Sequence, residues 1–237
     1  MSKKSEWQTS PIKSSRYAFT PEEIRKILEV AKQKNFRDYC LLLTLALTGR
    51  RVSEVVGTSV WEIEKYKKEP LHGLRVCDID FANGVINWQI EKKFRKVKKK
   101  VGNETVEIIE RVEVPIKAPK ILLDTLKEYI ERCIKPSCPN EKALQYSKLF
   151  PMTRFRVHQI VKKYVKLAGI KGRKRLVHAF RHGFAIGYLK KSSKPEDLLE
   201  LKEQLQHSSV IITENYLRFL ETRESKILDE FANEMVG

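Results

Sequence analysis

Hydrophobic and polar positions recur along this chain with two periods, and the changes of period mark its elements. The first regular segment opens with F-T-P-E-E-I at 19–24. There Thr20 can cap a helix, Pro21 suits its first position, Glu23 completes a capping box and Phe19 can staple to Ile24. A helix is predicted from this start to about Lys34. Residues 39–47 are apolar on all sides apart from Thr44, and Gly49 follows soon after. That pattern predicts a helix buried in the core and closed by glycine just past its end. A further short helix is expected over 51–56.

Between 74 and 115 the period falls to two. Ile86, Trp88 and Ile90 share one strand face, Val112, Val114 and Ile116 share another, and Asn83-Gly84 is a strong hairpin turn. Three antiparallel strands are therefore predicted. Helical spacing returns after Pro119 with Leu122, Leu126, Tyr129 and Cys133, and a looser loop follows through Pro136, Pro139 and Asn140. Later, Val157, Val161, Val165 and Ala168 keep one helical face apolar, as do Ile227, Leu228, Phe231 and Met235 near the end. The predicted fold class is mainly α with a small three-stranded antiparallel sheet, an α+β arrangement. Its divisions are a basic flexible tail over 1–16, a body over 17–220, and a C-terminal helix over 221–237 suited to exchange with a neighbouring subunit.

Composition narrows the partner. The 237 residues are 41% hydrophobic, enough to bury a core, and 47 Lys and Arg against 30 Asp and Glu leave a formal charge of +17. Such a surface favours a polyanion, with nucleic acid ahead of an acidic membrane. The longest nearly unbroken apolar run, 39–47, is far short of the roughly 20 residues a bilayer span needs. No membrane partner is expected. The N-terminus shows no apolar signal region, so the expected location is cytoplasmic, with the cysteines at 40, 77, 133 and 138 reduced. Cys133 and Cys138 alone are close in sequence; a zinc ribbon would lack half its ligands, which leaves a local disulfide as the alternative.

The charge is also clustered. Seven of the nine residues at 92–100 are basic: Lys92, Lys93, Arg95, Lys96, Lys98, Lys99 and Lys100. A solvated hairpin tip is the plain reading, yet seven like charges repel, and a phosphate backbone would relieve them. The stretch 154–175 holds nine Lys or Arg and no acidic residue, with Lys162, Lys163, Lys166, Arg173, Lys174 and Arg175 opposite the apolar face. Residues 221–237, by contrast, hold five acidic and two basic residues and should dock on protein.

Four clusters carry candidate chemistry: T-G-R-R-V-S-E at 48–54, the lysine-rich hairpin, H-A-F-R-H at 178–182, and 207–216, which begins with His207 and ends with Tyr216. Singly, each has a bland reading as surface or packing residues. In this order and spacing they resemble the catalytic domain of tyrosine recombinases, the family of phage integrases. The first cluster is similar to the family's T-G-[LM]-R-[IV]-S-E box, the second to its hairpin lysine, the third to its H-x-x-R box, and Leu205-Gln206-His207 followed by Tyr216 to its last box. Arg50 stands where an apolar residue is usual, Gln206 replaces the common glycine, and residues 58–72 resemble an insertion. The similarity runs from about Tyr17 to Tyr216, which makes the body over 17–220 a catalytic domain. The family's usual N-terminal DNA-clamping domain has no counterpart in this reading.

The resemblance implies a site-specific recombinase that cuts and rejoins double-stranded DNA through a 3′-phosphotyrosine, and implies roles for single residues. Arg51 and Arg181 would bind the phosphate bidentately, in place of a metal ion. Tyr216 would attack, His178 would accept its proton, and His207 would hydrogen-bond a phosphate oxygen. Lys92, with Lys93 as its rival, would protonate the leaving 5′ oxygen. Glu54 would steady the basic cluster, or simply satisfy a helix start. Lys93, Arg95, Lys96, Lys98, Lys99, Lys100, Lys162, Lys163, Lys166, Arg173, Lys174 and Arg175 would bind DNA. No metal, nucleotide or other cofactor is expected, and no P-loop motif or carboxylate cluster for two metals is present in the sequence. Self-association on DNA, from dimer to tetramer, is expected. The alternative is a non-catalytic basic DNA-binding accessory protein with the same fold.

Overall fold

The computed structural model describes residues 17–66, 70–101, 104–172, 176–191 and 194–207, together with Ser209, Val210, Thr213 and Tyr216. The basic tail, Arg173, Lys174, Arg175 and the acidic segment 221–237 lie outside the described residues.

The first helix, α1, spans Pro21–Lys34, and its start is built as the sequence predicts. Glu23 N–H donates to Thr20 Oγ1 (3.2 Å), and Thr20 N–H donates to the Glu23 carboxylate (2.9 Å). Helix α2, Phe36–Thr48, is buried along most of its length and ends at Gly49 in the left-handed conformation, φ 59°. A Cβ on Gly49 would come within 2.8 Å of the side chains of Leu205 and Phe184, so the turn needs glycine for space as well as for backbone. Helix α2 is the central rod. It packs on α1, on α5 (Lys120–Tyr129) and on α8 (Leu176–Lys191), while α7 (Arg154–Leu167) closes the layer against α1 and α8.

Helix α3, Val52–Val56, follows Gly49, and the segment 58–72 after it carries α4, Val60–Tyr66. Gly57 and Gly73 back onto each other at its base: a Cβ on Gly57 would lie 2.6 Å from the Leu71 carbonyl oxygen. Thr58 N–H donates to Leu71 O (3.0 Å), which ties the two ends together.

The sheet has the order β1-β2-β3, all antiparallel, with β1 at Ile79–Asp80, β2 at Val85–Val101 and β3 at Glu104–Lys117. Ile86, Trp88 and Ile90 face the core. The ladder is broken once. Pairing stops at Gln89↔Glu113 and resumes at Phe94↔Arg111, so residues 90–93 oppose Val112 alone. Beyond this bulge the hairpin runs out from the body.

Two expectations are corrected here. Arg95 and Lys96 face carboxylates across the ladder, Glu110 at 3.6 Å and Glu107 at 2.7 Å, so the hairpin is not a bare cluster of like charge. Cys133 does not continue the apolar face of α5. A π-turn over Ile130–Ile134 follows the helix, and its wider hydrogen-bond ring rotates Ile130 and Ile134 into the core while Cys133 is exposed. Cys133 and Cys138 are free thiols. On α7 the expected face holds: Val157, Val161 and Val165 are buried, and Lys162, Lys163 and Lys166 are exposed on the other side. Helices α6 (Glu141–Tyr146) and α9 (Pro195–Leu205) complete the chain order. Among the described residues no helix is long and apolar enough to cross a membrane.

Candidate active site

Five segments meet beside the end of α2. The turn after Gly49 makes Arg51 the residue that opens α3, with its side chain 18% exposed. Glu54, one turn on, reaches back to accept the Arg51 backbone N–H (3.1 Å) and Nη1 (3.2 Å). It also accepts the backbone N–H of Glu91 (3.3 Å), within the β2 bulge. Glu54 therefore satisfies the helix start and ties the first box to the sheet. Glu91 adds a second carboxylate, 3.7 Å from Arg51 Nε.

Helix α8 supplies Arg181 from its buried face. Its two terminal nitrogens donate to backbone carbonyls on separate segments, Gly49 (2.7 Å) and Leu205 (2.8 Å). The guanidinium thus fastens the first box to the last with part of its donor set. Burial lowers its basicity to a pKa of about 10, helped by Arg51 and Arg50, and the group stays charged at neutral pH. His178 lies on the same helix and is exposed.

The last box turns at Gln206, the only non-glycine residue among those described with positive φ (54°). This is where the family pattern has glycine. The strained turn puts His207 inside, with Nδ1 2.9 Å from Thr213 Oγ1. Desolvation, followed by the fields of Arg181, Arg51 and Arg50, pushes the His207 pKa down to about 3, so the ring is neutral. Gln206 Oε1 accepts from Lys93 Nζ (2.7 Å), whereas Lys92 is exposed. A groove of about 550 Å³ runs alongside, lined by Lys93, Lys117, Gln206 and His207 among others.

Tyr216 is 4% exposed and stands between two histidines. Its hydroxyl is 3.0 Å from His182 Nδ1, and its ring stacks on His207 at 6.1 Å between centroids and 6° between planes. Burial raises its pKa, and Arg181 and Arg51 pull in the opposite direction. Of the residues predicted from sequence, Arg51, Glu54, Arg181, His207 and Tyr216 come together, and the hairpin contributes Lys93. His178 is one turn from His182, its ring centroid 6.5 Å away. From sequence His182 had no part in the reaction, and nothing pointed to Thr213, Glu91 or the link through Gln206. His182 alone had a visible signal, its place four residues after His178 on one helical face. Among the described residues no cluster of His, Cys, Asp or Glu is placed to hold a metal ion.

Known proteins are similar to this chain over nearly its whole described length. Residues 18–223 match the model of the phage integrase family. Tyrosine recombinase XerA of Pyrococcus furiosus is 30% identical over 204 residues, covering 85% of this chain and 57% of the relative. A tyrosine recombinase of Pseudothermotoga lettingae is 30% identical over 215 residues, covering 90% and 60%. The chain thus spans less than two thirds of the length of these relatives. Among solved structures, a crystal structure of XerA recombinase superposes with a TM-score of 0.58 at 20% identity, covering 92% of this chain and 64% of that one. The Tn1549 transposon integrase (aa 82-397), in complex with circular intermediate DNA, gives 0.59 at 20% identity, covering 94% and 66%. These likenesses share the fold, and the family match runs through all the boxes that meet at Tyr216. This chain belongs to the phage integrase family.

Proposed function

We propose that this chain is the catalytic domain of a site-specific tyrosine recombinase, which cuts and rejoins double-stranded DNA through a 3′-phosphotyrosine. The observation that carries this reading is the Tyr216 hydroxyl, buried beside Arg51 and Arg181 and hydrogen-bonded to a histidine. A pure DNA binder has no use for a phenol in that place.

In the proposed reaction, the two guanidinia bind the non-bridging oxygens of the scissile phosphate. Loss of one such preorganised donor typically costs on the order of 10²–10³ in rate. Tyr216 Oη attacks phosphorus and its proton passes to His182 Nδ1, the nearer of the two α8 histidines to the phenol by the hydrogen bond it makes. His178, assigned that proton by resemblance, is exposed one turn away, its ring centroid 6.5 Å from that of His182. The bond from phosphorus to the 5′ oxygen breaks, and Lys93 Nζ supplies the proton that makes a 5′-hydroxyl. Lys93 takes this role over Lys92 because the β2 bulge turns it toward the last box. In this reaction the neutral His207 accepts at Nδ1 from Thr213 Oγ1, 2.9 Å away, and so would carry its proton on Nε2 as a donor to the phosphate. The phosphoryl bond is retained on tyrosine, so rejoining is the reverse of cleavage and needs no ATP. The guanidinium pair supplies the positive charge that a metal supplies in other phosphoryl transfers.

DNA is the proposed partner, held by the exposed lysines of α7 and by the hairpin, in assemblies of two to four subunits in the cytoplasm. The test is incubation of the protein with nicked suicide duplexes drawn from the DNA that neighbours its gene, in EDTA and without ATP. The expected product is a covalent adduct on the 3′ phosphate. An adduct that forms only with Mg²⁺ refutes the mechanism, and DNA binding with no adduct on the correct target favours the accessory-protein reading.

A further inference from the structure

Arg50 takes no part in that scheme, and its surroundings are unusual for an arginine. Its side chain is 0% exposed, and Nε and both terminal nitrogens have no hydrogen-bond partner among the described residues. One Glu54 oxygen lies 3.8 Å from Nη1, and the guanidinium carbon is 5.9 Å from the Trp88 ring centroid. Desolvation lowers its pKa to about 10, so the group remains charged at neutral pH.

Burying a guanidinium without acceptors destabilises a fold, and the one carboxylate within 4 Å of Arg50 is shared with Arg51. Glu54 faces Arg50 while it also accepts from the backbone and side chain of Arg51. Arg181 is held by carbonyl oxygens. Three guanidinia, those of Arg50, Arg51 and Arg181, stand against two carboxylates, Glu54 and Glu91, and these five groups sum to 3 − 2 = +1, with Lys93 a further cation at the edge of the site. With a neutral side chain at 50 the sum of those five groups is zero, and Arg51 becomes the one guanidinium paired with Glu54.

We propose that Arg50 is a positioning residue whose buried charge lowers the stability of the fold and, by sharing Glu54, keeps Arg51 electropositive toward a phosphate-class oxyanion in the site. The proposal rests on the assignment of Arg51 and Arg181 as the phosphate-binding pair. Arg50 itself touches no substrate, and its effect reaches the site through Glu54 and through its field.

The experiment is thermal unfolding of the full chain as wild type, Arg50→Met and Arg50→Lys, titrated with inorganic phosphate at constant ionic strength, beside the rate of adduct formation on a nicked duplex. Methionine fills the volume without charge. Arg50→Met should unfold about 2–4 °C above wild type without phosphate. Its phosphate-induced rise should be less than half that of wild type. Its adduct should form on the order of tenfold more slowly, a smaller loss than removal of a direct donor. Arg50→Lys keeps the charge and should keep the phosphate-induced rise. An Arg50→Met protein that unfolds below wild type or fails to fold overturns the proposal, as does one that keeps the full response to phosphate. If no protein forms an adduct and the phosphate responses still differ as expected, the strand-transfer reading fails and the role of Arg50 in anion binding stands.

Discussion

The hydroxyl of Tyr216 meets Nδ1 of His182 at 3.0 Å, one helical turn beyond the histidine that the box pattern marks. A buried phenol at its ordinary pKa of about 10 gives up its proton poorly at neutral pH, and burial raises this one further. An acceptor at hydrogen-bond distance answers that problem. His182→Gln should therefore slow adduct formation on the order of 10²-fold at neutral pH, with the rate recovering as pH rises and water takes the proton. His178→Gln should slow it less and leave the pH profile unchanged. The opposite ranking would return the proton to His178.

Gln206 occupies a left-handed turn at φ 54° while its side chain accepts from Lys93. Gln206→Gly removes the Cβ clash of that conformation, a relief of about 1 kcal/mol, and should raise the unfolding midpoint by about 2–4 °C. It also leaves Lys93 without its acceptor. The variant should be more stable and slower at cleavage, and a substrate with a better leaving group than a 5′ oxygen should restore the rate. A variant that gains stability with cleavage unchanged would separate Lys93 from the reaction.

The clearest elements were legible from local signals. Thr20, Pro21 and Glu23 wrote the start of α1, and the apolar run closed by glycine wrote α2, because caps and helix ends depend on neighbouring residues alone. The boxes around Arg51, Arg181 and His207 were legible by pattern. What escaped depends on geometry between distant segments. The π-turn after Tyr129 moved Cys133 outward, and past the irregularity at 90–93 it is Lys93, not Lys92, that meets Gln206; neither irregularity has a periodic signature. His182 was visible as half of a histidine pair, but only the placement of Tyr216 decides which of the two rings it meets.

His207 gives a pH prediction. Its folded pKa of about 3 lies below the ordinary histidine value of 6.5. Below pH 6.5 the unfolded chain takes a proton that the folded one refuses, so this group's share of stability is complete above 6.5 and is lost as pH falls toward 3. His207→Gln should flatten that part of the stability curve, measured by urea unfolding at a series of pH values. An unchanged acid limb would mean that the ring titrates normally in the fold.

Arg95 and Lys96 meet Glu110 and Glu107 across the hairpin. If the hairpin holds DNA as proposed, those carboxylates compete with phosphate for the same cations. The double variant Glu107→Gln with Glu110→Gln should bind DNA more tightly at low salt and show a steeper fall of log K with log salt. Replacing Lys162, Lys163 and Lys166 by alanine should flatten the slope, by up to about 0.9 for each phosphate no longer neutralised. Identical slopes in all three proteins would place the DNA elsewhere on the surface.

The central claim is that Tyr216 is the nucleophile, and its most direct measurement is the amount of covalent protein–DNA adduct formed on a nicked suicide duplex by wild type and by Tyr216→Phe, in EDTA. The substitution removes one oxygen and its hydrogen bond to His182 while leaving the ring stacked on His207. The expected result is adduct with wild type, none with Tyr216→Phe, and nearly equal DNA affinity for both; an adduct that persists in Tyr216→Phe contradicts the account.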